Sequence, residues 1–156
     1  MKKILIAYGL LVVVVIILAF AKFNGTTFFS GFGKSASAEI ASQKFKIEIA
    51  DDDKERQLGL SKRKSLNQDA GMLFIFPEKK KYSFWMKDTQ IPLDIIFIND
   101  GKIVHIVKNA PPQAGKQGTL PIYTSPADAN QVLEINGGLS DKNKFKNGDT
   151  VKITGI

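Results

Sequence analysis

The stretch that decides the fold runs from residue 93 to residue 108 and reads L-D-I-I-F-I-N-D-G-K-I-V-H-I-V-K. Two apolar segments flank Asp100-Gly101, and a two-residue Asp-Gly connection is a strong signal for a β-hairpin with a type I′ turn. Both turn residues tolerate the positive φ angles that this turn requires. The pattern therefore predicts two antiparallel strands over residues 92–99 and 102–108.

A two-residue loop also predicts the register of the hairpin. Asn99 would face Lys102, and Ile96 would face His105. Asp94 and His105 would then share one face as diagonal neighbours, with Cβ atoms roughly 6–8 Å apart. The opposite face is apolar as well, so we expect both faces of the hairpin to be covered.

The carboxylate of Asp94 lies among isoleucines in this arrangement. A buried carboxylate must be paired or hydrogen-bonded, because losing its hydration is costly. The candidate partners are His105, Lys87, Arg56 and nearby backbone amides.

The segments on either side of the hairpin favour further short strands. We expect these strands at residues 45–49, 72–76, 82–87, 130–136 and 150–153. Asp52-x-x-Glu55 resembles a capping box that opens a short helix ended by Gly59, and residues 138–145 form a second short helix. The sequence predicts a mainly β fold, sandwich-like or barrel-like and mostly antiparallel, with two short helices.

The composition is that of a globular chain, with 44% apolar and 24% charged residues among 156. The chain has no cysteine, which excludes disulfides, thiolate catalysis and cysteine metal sites. Its single histidine excludes a multi-histidine metal centre. We expect neither a metal nor a cofactor.

The N-terminal region predicts an export or anchor segment. Residues 4–21 are uncharged and follow Lys2-Lys3, and as a helix they would span about 27 Å, close to the thickness of a hydrocarbon core. Residues 1–21 are therefore a signal anchor or a cleaved signal peptide, with the domain outside the cytoplasm in both cases, and secreted if cleavage occurs. Residues 22–43 are predicted to be a flexible tether, and residues 44–156 a single β-rich domain.

The charge pattern argues against nucleic acid as a partner. Residues 39–156 hold 18 basic and 15 acidic side chains, which is too small an excess for a nucleic-acid binder. The basic clusters at 62–64 and 79–81 are either solvated turns or contacts for anionic lipid headgroups or polymers outside the cell.

The lone tryptophan, Trp85, shares one side of its predicted strand with Ser83 and Lys87. An aromatic ring beside polar groups is a common arrangement for holding saccharides and other small polar ligands. The alternative is that the indole closes a core and donates its N–H to a backbone carbonyl.

Several motifs, in this order and spacing, resemble the family called domain of unknown function 192. They are D-K-E-R-Q-L-G-L at 53–60, G-M-L-F-I-F-P at 71–77, S-F-W-M-K-D-T-Q-I-P-L-D-I-I-F-I at 83–98, N-A-P-P at 109–112, V-L-E at 132–134 and G-D at 148–149. The resemblance covers about residues 44–154. It implies a compact β-rich domain with small helices, often exported, and it implies no activity.

We therefore expect a membrane-tethered binding domain outside the cytoplasm, without covalent chemistry, for a polar ligand of the cell envelope such as a saccharide. The expected ligand-binding residues are Trp85, Lys87, Thr89, Asp94 and His105, with Arg56 as a contributor. One alternative is a hydrolase in which Asp94 orients His105, with Ser83 or Thr89 as nucleophile or water-holder. Another is a non-catalytic envelope protein that contacts anionic lipid or polymer through its basic clusters.

Overall fold

The structure is a computed structural model that describes residues 36–115 and 118–156. The predicted segment 1–21, and the tether up to residue 35, lie outside the described residues. Neither helix within the described ranges has the length and hydropathy of a membrane-spanning segment.

The described chain is mainly β, with nine strands and two short helices. The elements in chain order are β1 (Ser37–Ile40), β2 (Gln43–Ala50), α1 (Asp53–Leu58), β3 (Ala70–Lys80), β4 (Ser83–Trp85), β5 (Leu93–Asn99), β6 (Lys102–Ala110), β7 (Ile122–Thr124), β8 (Ala129–Asn136), α2 (Leu139–Lys142) and β9 (Val151–Thr154).

Seven strands form one curved sheet in the order β6-β5-β8-β3-β2-β1-β9, and β2 and β3 are its parallel pair. The sheet curls into a half-barrel, so that the turn before β6 meets the start of β9. Val151 N donates to Gly101 O at 2.8 Å, and Ile103 N donates to Asp149 O at 3.0 Å. Strands β4 and β7 form a separate two-stranded sheet.

Apolar side chains cover both faces of the central strands, as the hairpin pattern predicts. On one face, Leu73, Ile96 and Leu133 belong to a buried cluster that extends to β1, β2 and α2. On the other face, Phe74 and Phe97 pack with residues of β4 and of the loop that follows it. Strand β5 is buried along almost its whole length for this reason.

Helix α1 forms where the capping motif predicts it. The Asp52 carboxylate accepts a hydrogen bond from Glu55 N at 2.7 Å, and Gly59 ends the helix with φ +50°. An ideal Cβ on Gly59 would lie 3.3 Å from the Phe74 ring. Glycine suits this position for two reasons: it adopts the positive φ without strain, and it leaves room for the end of the helix to approach β3 closely.

The predicted start of the domain needs a correction. Residues 37–40 fall within the segment predicted to be a flexible tether, but they form β1, which pairs with β2 and β9. Ala38 and Ile40 are fully buried. The pairing of β1 on both sides makes this short segment part of the sheet, so the folded part begins before residue 44.

The predicted hairpin register is right at the turn and wrong beyond it. Asn99 pairs with Lys102 as expected, but Phe97, not Ile96, pairs with His105. A bulge after Ile103 places one extra residue of β6 opposite β5 and shifts residues 105–107 by one position, and a second irregularity lies between Ile95 and Leu93. A one-residue shift moves a side chain to the other face of a sheet, so His105 lies on the face opposite Asp94.

Candidate functional site

A cleft of about 140 Å³ opens on the face of the main sheet that β4 covers. Its walls come from β3, from β4 and the loop after it, and from residues 56–61 at the end of α1. Glu134 of β8 also lines it. The cleft therefore lies where the small sheet and the end of α1 meet the main sheet.

Five aromatic residues line this cleft: Phe74, Phe76, Tyr82, Phe84 and Trp85. The Phe76 and Tyr82 rings stack with centroids 3.7 Å apart, and the Phe84 ring stands perpendicular to that of Phe74 at 5.1 Å. These contacts hold four of the rings against the protein. Trp85 is the exception, because it is 52% exposed, and its ring is therefore accessible to a ligand rather than enclosed in a core.

Glu134 is the buried acidic group of the cleft. It lies on β8 between Met72 of β3 and Ile95 of β5, and it is 4% exposed. Its carboxyl makes neither a hydrogen bond nor an ion pair with any described residue. Burial among apolar neighbours raises the pKa of Glu134 to about 8. The group is therefore a neutral carboxylic acid near pH 7, able to donate one hydrogen bond and to accept others.

Arg56 forms a fixed part of the wall. Its Nη1 donates to Ile75 O at 2.7 Å and also to Asp51 O, and its Nη2 bonds Asp53 Oδ1 at 2.6 Å. The guanidinium carbon lies 5.5 Å from the centre of the Phe76 ring. These contacts leave the positive charge in place while restricting the side chain to one orientation.

Lys87 and Thr89 are the other two predicted ligand-binding residues that line the cleft. Lys87 Nζ lies 5.6 Å from the centre of the Trp85 ring, so its charge stays beside the accessible indole. Thr89 is 5% exposed, and its hydroxyl donates to Lys87 O at 3.3 Å. Of the six predicted ligand-binding residues, the structure thus brings four to one cleft: Arg56, Trp85, Lys87 and Thr89.

Asp94 is fully buried on the other face of the sheet. Its carboxylate accepts backbone hydrogen bonds from Asn109 N at 2.7 Å, Gly138 N at 2.9 Å and Ser140 N at 2.6 Å. Backbone amides, among the partners predicted for this group, therefore satisfy it. The carboxylate ties the end of β6 and the start of α2 to β5.

His105 lies outside the lining of the cleft, half-buried beside Phe97, with ring centroids 5.9 Å apart. The pairing of Asp94 with His105 is therefore wrong, because the bulge in β6 turns the two side chains to opposite faces. The hydrolase alternative depends on that pairing and loses its orienting contact.

The two basic clusters are partly neutralised within the fold. Arg63 makes two hydrogen bonds of 2.5 Å to the Glu48 carboxylate. Lys79 contacts Asp100 at 2.5 Å, and Lys80 contacts a neighbouring glutamate. The contacts of Arg63 and Lys79 connect distant segments of the domain.

Glu134 is a lining residue that is absent from the site predicted above. The signal was present, since an acidic residue interrupts the apolar run V-L-E-I at 132–135. A carboxylate in a buried strand needs a partner, and this holds for Glu134 as it does for Asp94. Within residues 36–115 and 118–156 no three His, Asp or Glu side chains cluster as metal ligands would.

The chain is thus a small half-barrel β domain with an aromatic cleft on one face. The model of the DUF192 family, described as "Uncharacterized ACR", matches residues 36–153. The chain therefore belongs to this family, as its motifs indicate. No curated protein matches the chain.

Two solved structures resemble this one closely. A protein of unknown function from Novosphingobium aromaticivorans DSM 12444 is 32% identical, with a TM-score of 0.69 over 74% of this chain and 83% of its own. A protein from Sinorhizobium meliloti 1021, described as a candidate transcription regulator, is 31% identical, with a TM-score of 0.70 over 81% of this chain and 100% of its own.

Proposed function

We propose that this chain is a membrane-tethered domain outside the cytoplasm that binds a polar ligand of the cell envelope, with a saccharide as the first candidate, in the cleft beside Trp85. The observation that carries the proposal is Glu134, which is 4% exposed and lines the cleft with a carboxyl that keeps a small accessible surface and has no hydrogen bond to a described residue. Buried polar groups are nearly always hydrogen-bonded, because an unsatisfied one costs about 1–3 kcal/mol. A ligand with hydroxyl or carbonyl groups supplies the missing bond.

The other lining residues suit the same ligand chemistry. A sugar ring has an apolar face and a polar edge, and the accessible Trp85 ring offers a stacking surface for that face. Lys87 places a donor beside that ring, and the Arg56 guanidinium and the Ser83 hydroxyl line the same cleft. At about 140 Å³ the cleft is smaller than a usual drug-sized pocket, which fits one end of a larger ligand.

The location is proposed from the N-terminal sequence. Residues 4–21 are apolar and uncharged, and two lysines precede them, which favours a cytoplasmic N-terminus with the domain on the other side of the membrane. Protease added to intact spheroplasts should then degrade the domain. Protection of the domain until the membrane is lysed would contradict the location without affecting the cleft.

Binding is favoured over hydrolysis by the placement of the acidic groups. In the hydrolase alternative Asp94 orients the histidine. Its carboxylate instead accepts hydrogen bonds from three backbone amides, on the face of the sheet opposite the cleft. Glu134 has no histidine beside it in the lining of the cleft. The cleft therefore offers a stacking surface and hydrogen-bond donors rather than an activated nucleophile.

The test is a thermal-shift screen of the full chain in detergent against envelope saccharides, lipids and metal ions. A ligand at about 100 times its Kd should stabilise the folded state by about 2.7 kcal/mol. We expect a saccharide to raise the melting temperature and to change the fluorescence of Trp85, which is the single tryptophan of the chain.

Two variants identify the site of any ligand found in this way. Trp85→Ala should reduce affinity at least about fivefold, because stacking on one aromatic ring contributes on the order of 1–2 kcal/mol. Ile156→Ala removes an exposed apolar side chain at the C-terminus and should bind like the wild type. Equal affinity of all three proteins would place the ligand elsewhere and reject the cleft.

A further inference from the structure

A second, shallower depression adjoins the cleft, and we call it the shelf. The shelf has a volume of about 310 Å³, and Trp85 and Lys87 line both depressions. Lys54 of α1 and Lys62 line the shelf but not the cleft. A ligand that enters the cleft can therefore continue past Trp85 onto the shelf.

The shelf is positively charged. Three lysines line it, Lys54, Lys62 and Lys87, against one acidic residue, Asp88. None of these lysines forms an ion pair with a carboxylate in the described ranges. Their charges are therefore available to an anionic ligand, and they lie on one side of an exposed aromatic ring.

We infer that the ligand is an acidic oligosaccharide, one end of which accepts a hydrogen bond from the Glu134 carboxyl while its following units cross Trp85 and lie along the lysines of the shelf. This inference rests on the proposed function and narrows its ligand class. The two depressions together reach the size of a usual ligand site, although the cleft alone does not.

The charges facing Glu134 favour an anionic over a cationic ligand. The titratable groups that line the cleft with it are Arg56, Tyr82 and Lys87. Burial raises the pKa of the Tyr82 phenol above its usual 10, so this group is neutral near pH 7. A cation in the cleft would meet two positive side chains and a carboxyl that is itself uncharged near neutrality.

The strand residues paired with Glu134 carry no charge. Its partners across the sheet are Met72 of β3 and Ile95 of β5, and both are buried and apolar. His105 of β6 shares the face of Phe97, and it does not line the cleft. The raised pKa of Glu134 therefore follows from its burial.

The direct test compares two probes of equal length with the full chain in detergent. Tetragalacturonic acid carries a carboxylate on each unit, and cellotetraose is uncharged. We expect calorimetry to show at least about tenfold tighter binding of the acidic probe at low salt, with the difference shrinking as salt screens the lysines. Equal binding of both probes would overturn the inference and leave the proposed function standing. Binding of neither probe, with vesicles of phosphatidylcholine and phosphatidylglycerol bound instead, would overturn both.

Charge variants locate the acidic units. The double variant Lys54→Gln/Lys62→Gln should lower the affinity for tetragalacturonic acid at least about fivefold and leave cellotetraose unaffected. Lys146→Gln/Lys152→Gln makes the same change in net charge at exposed positions outside both depressions and should have little effect. Equal losses of affinity in both double variants would show that only the net charge of the protein matters, and would reject the shelf as the binding site.

The pH profile separates hydrogen bonding by Glu134 from a structural role. Affinity for tetragalacturonic acid should be constant from about pH 6 to 7.5 and should fall about tenfold per pH unit above pH 8, because only the protonated carboxyl donates. Glu134→Gln keeps a donor at every pH, so its affinity should stay near the wild-type value and lose this decline. An affinity that rises with pH would show that the ionised carboxylate binds, and would overturn the inference.

Discussion

Asp94 and Glu134 are acidic residues on neighbouring strands of one sheet, and both are buried. They lie on opposite faces. Asp94 accepts three backbone hydrogen bonds, and it joins β5 to the end of β6 and the start of α2. Glu134 has no such bonds and lines an open cleft.

The difference between them shows that the hydrogen bonding of a buried acid depends on which face of the sheet it occupies. A carboxylate whose oxygens are filled by backbone amides has little capacity left for a ligand, and its removal breaks contacts between elements. A carboxyl with unfilled hydrogen-bonding capacity is open to a ligand, and its burial opposes ionisation rather than joining elements. Four predictions test this contrast.

The largest effect should come from Asp94→Ala. The substitution removes the acceptor of three buried backbone amides, and we expect a loss of about 5 kcal/mol in the free energy of unfolding, enough to unfold many domains. Chemical denaturation measures this. Asp128→Ala removes an exposed carboxylate and should change stability by no more than about 1 kcal/mol. Similar losses in both variants would remove the special role of Asp94.

Glu134→Gln should show the opposite sign, and its effect should depend on pH. Below pH 4.5 the carboxyl is protonated in both the folded and the unfolded protein, so wild type and variant should be similar. Between pH 4.5 and about 8 the unfolded state ionises while the folded state keeps its proton, so the wild type loses stability as pH rises.

Each pH unit in this window lowers the free energy of unfolding of the wild type by about 1.4 kcal/mol. Between pH 5 and 7.5 the free energy of unfolding of the Gln variant should therefore rise by at least about 2 kcal/mol relative to that of the wild type. Thermal unfolding of both proteins across this range measures the difference, and the comparison cancels all other titrating groups. A difference that does not change with pH would mean that Glu134 is ionised in the folded protein.

A moderate effect is expected from Gly59→Ala, which acts on the wall of the cleft. The new methyl would need φ +50° and would lie 3.3 Å from the Phe74 ring, so we expect a loss of about 1–2 kcal/mol. Gly148→Ala is the matched control, since its φ is also positive but no atom lies within 4 Å of the added Cβ. The difference between the two variants isolates the contact with Phe74.

The smallest effect should come from His105→Gln. The ring packs beside Phe97 but lies outside the lining of the cleft, so we expect a loss of about 1 kcal/mol or less and unchanged ligand affinity. Calorimetry with tetragalacturonic acid and a denaturation curve check both values. A marked loss of affinity with unchanged stability would restore His105 to the site and contradict the separation of faces.

The local parts of the fold were predictable because neighbouring residues decide them. Asp100-Gly101 gives the turn and the first two pairs of the hairpin, and the Asp52 cap and Gly59 give the bounds of α1. Strand β1 was missed, because four residues after a Gly- and Ser-rich stretch carry too little pattern of their own. Its stability comes from two neighbours, one of which, β9, is distant in sequence.

The candidate site was predictable only on one side. Trp85, Lys87 and Thr89 follow one another closely, so alternation along β4 and the loop after it places them together. Asp94 and His105 were assigned by extending the hairpin register past a bulge, which no residue type near Val104 announces. One extra residue was enough to separate the acid from the imidazole.

Local propensity and the order of motifs along the chain suffice to predict the mainly β class, the hairpin turn, the cap of α1 and the membership of the family. Contacts between distant segments settle which acid anchors the fold and which one faces a cleft. Asp94 finds its partners at residues 109, 138 and 140, and Glu134 meets residues 56–61 and 83–89 only after the small sheet covers the large one. Hydrogen-bond partners and burial depend on residues that are distant in sequence and meet only in the folded chain, so local sequence patterns do not predict them.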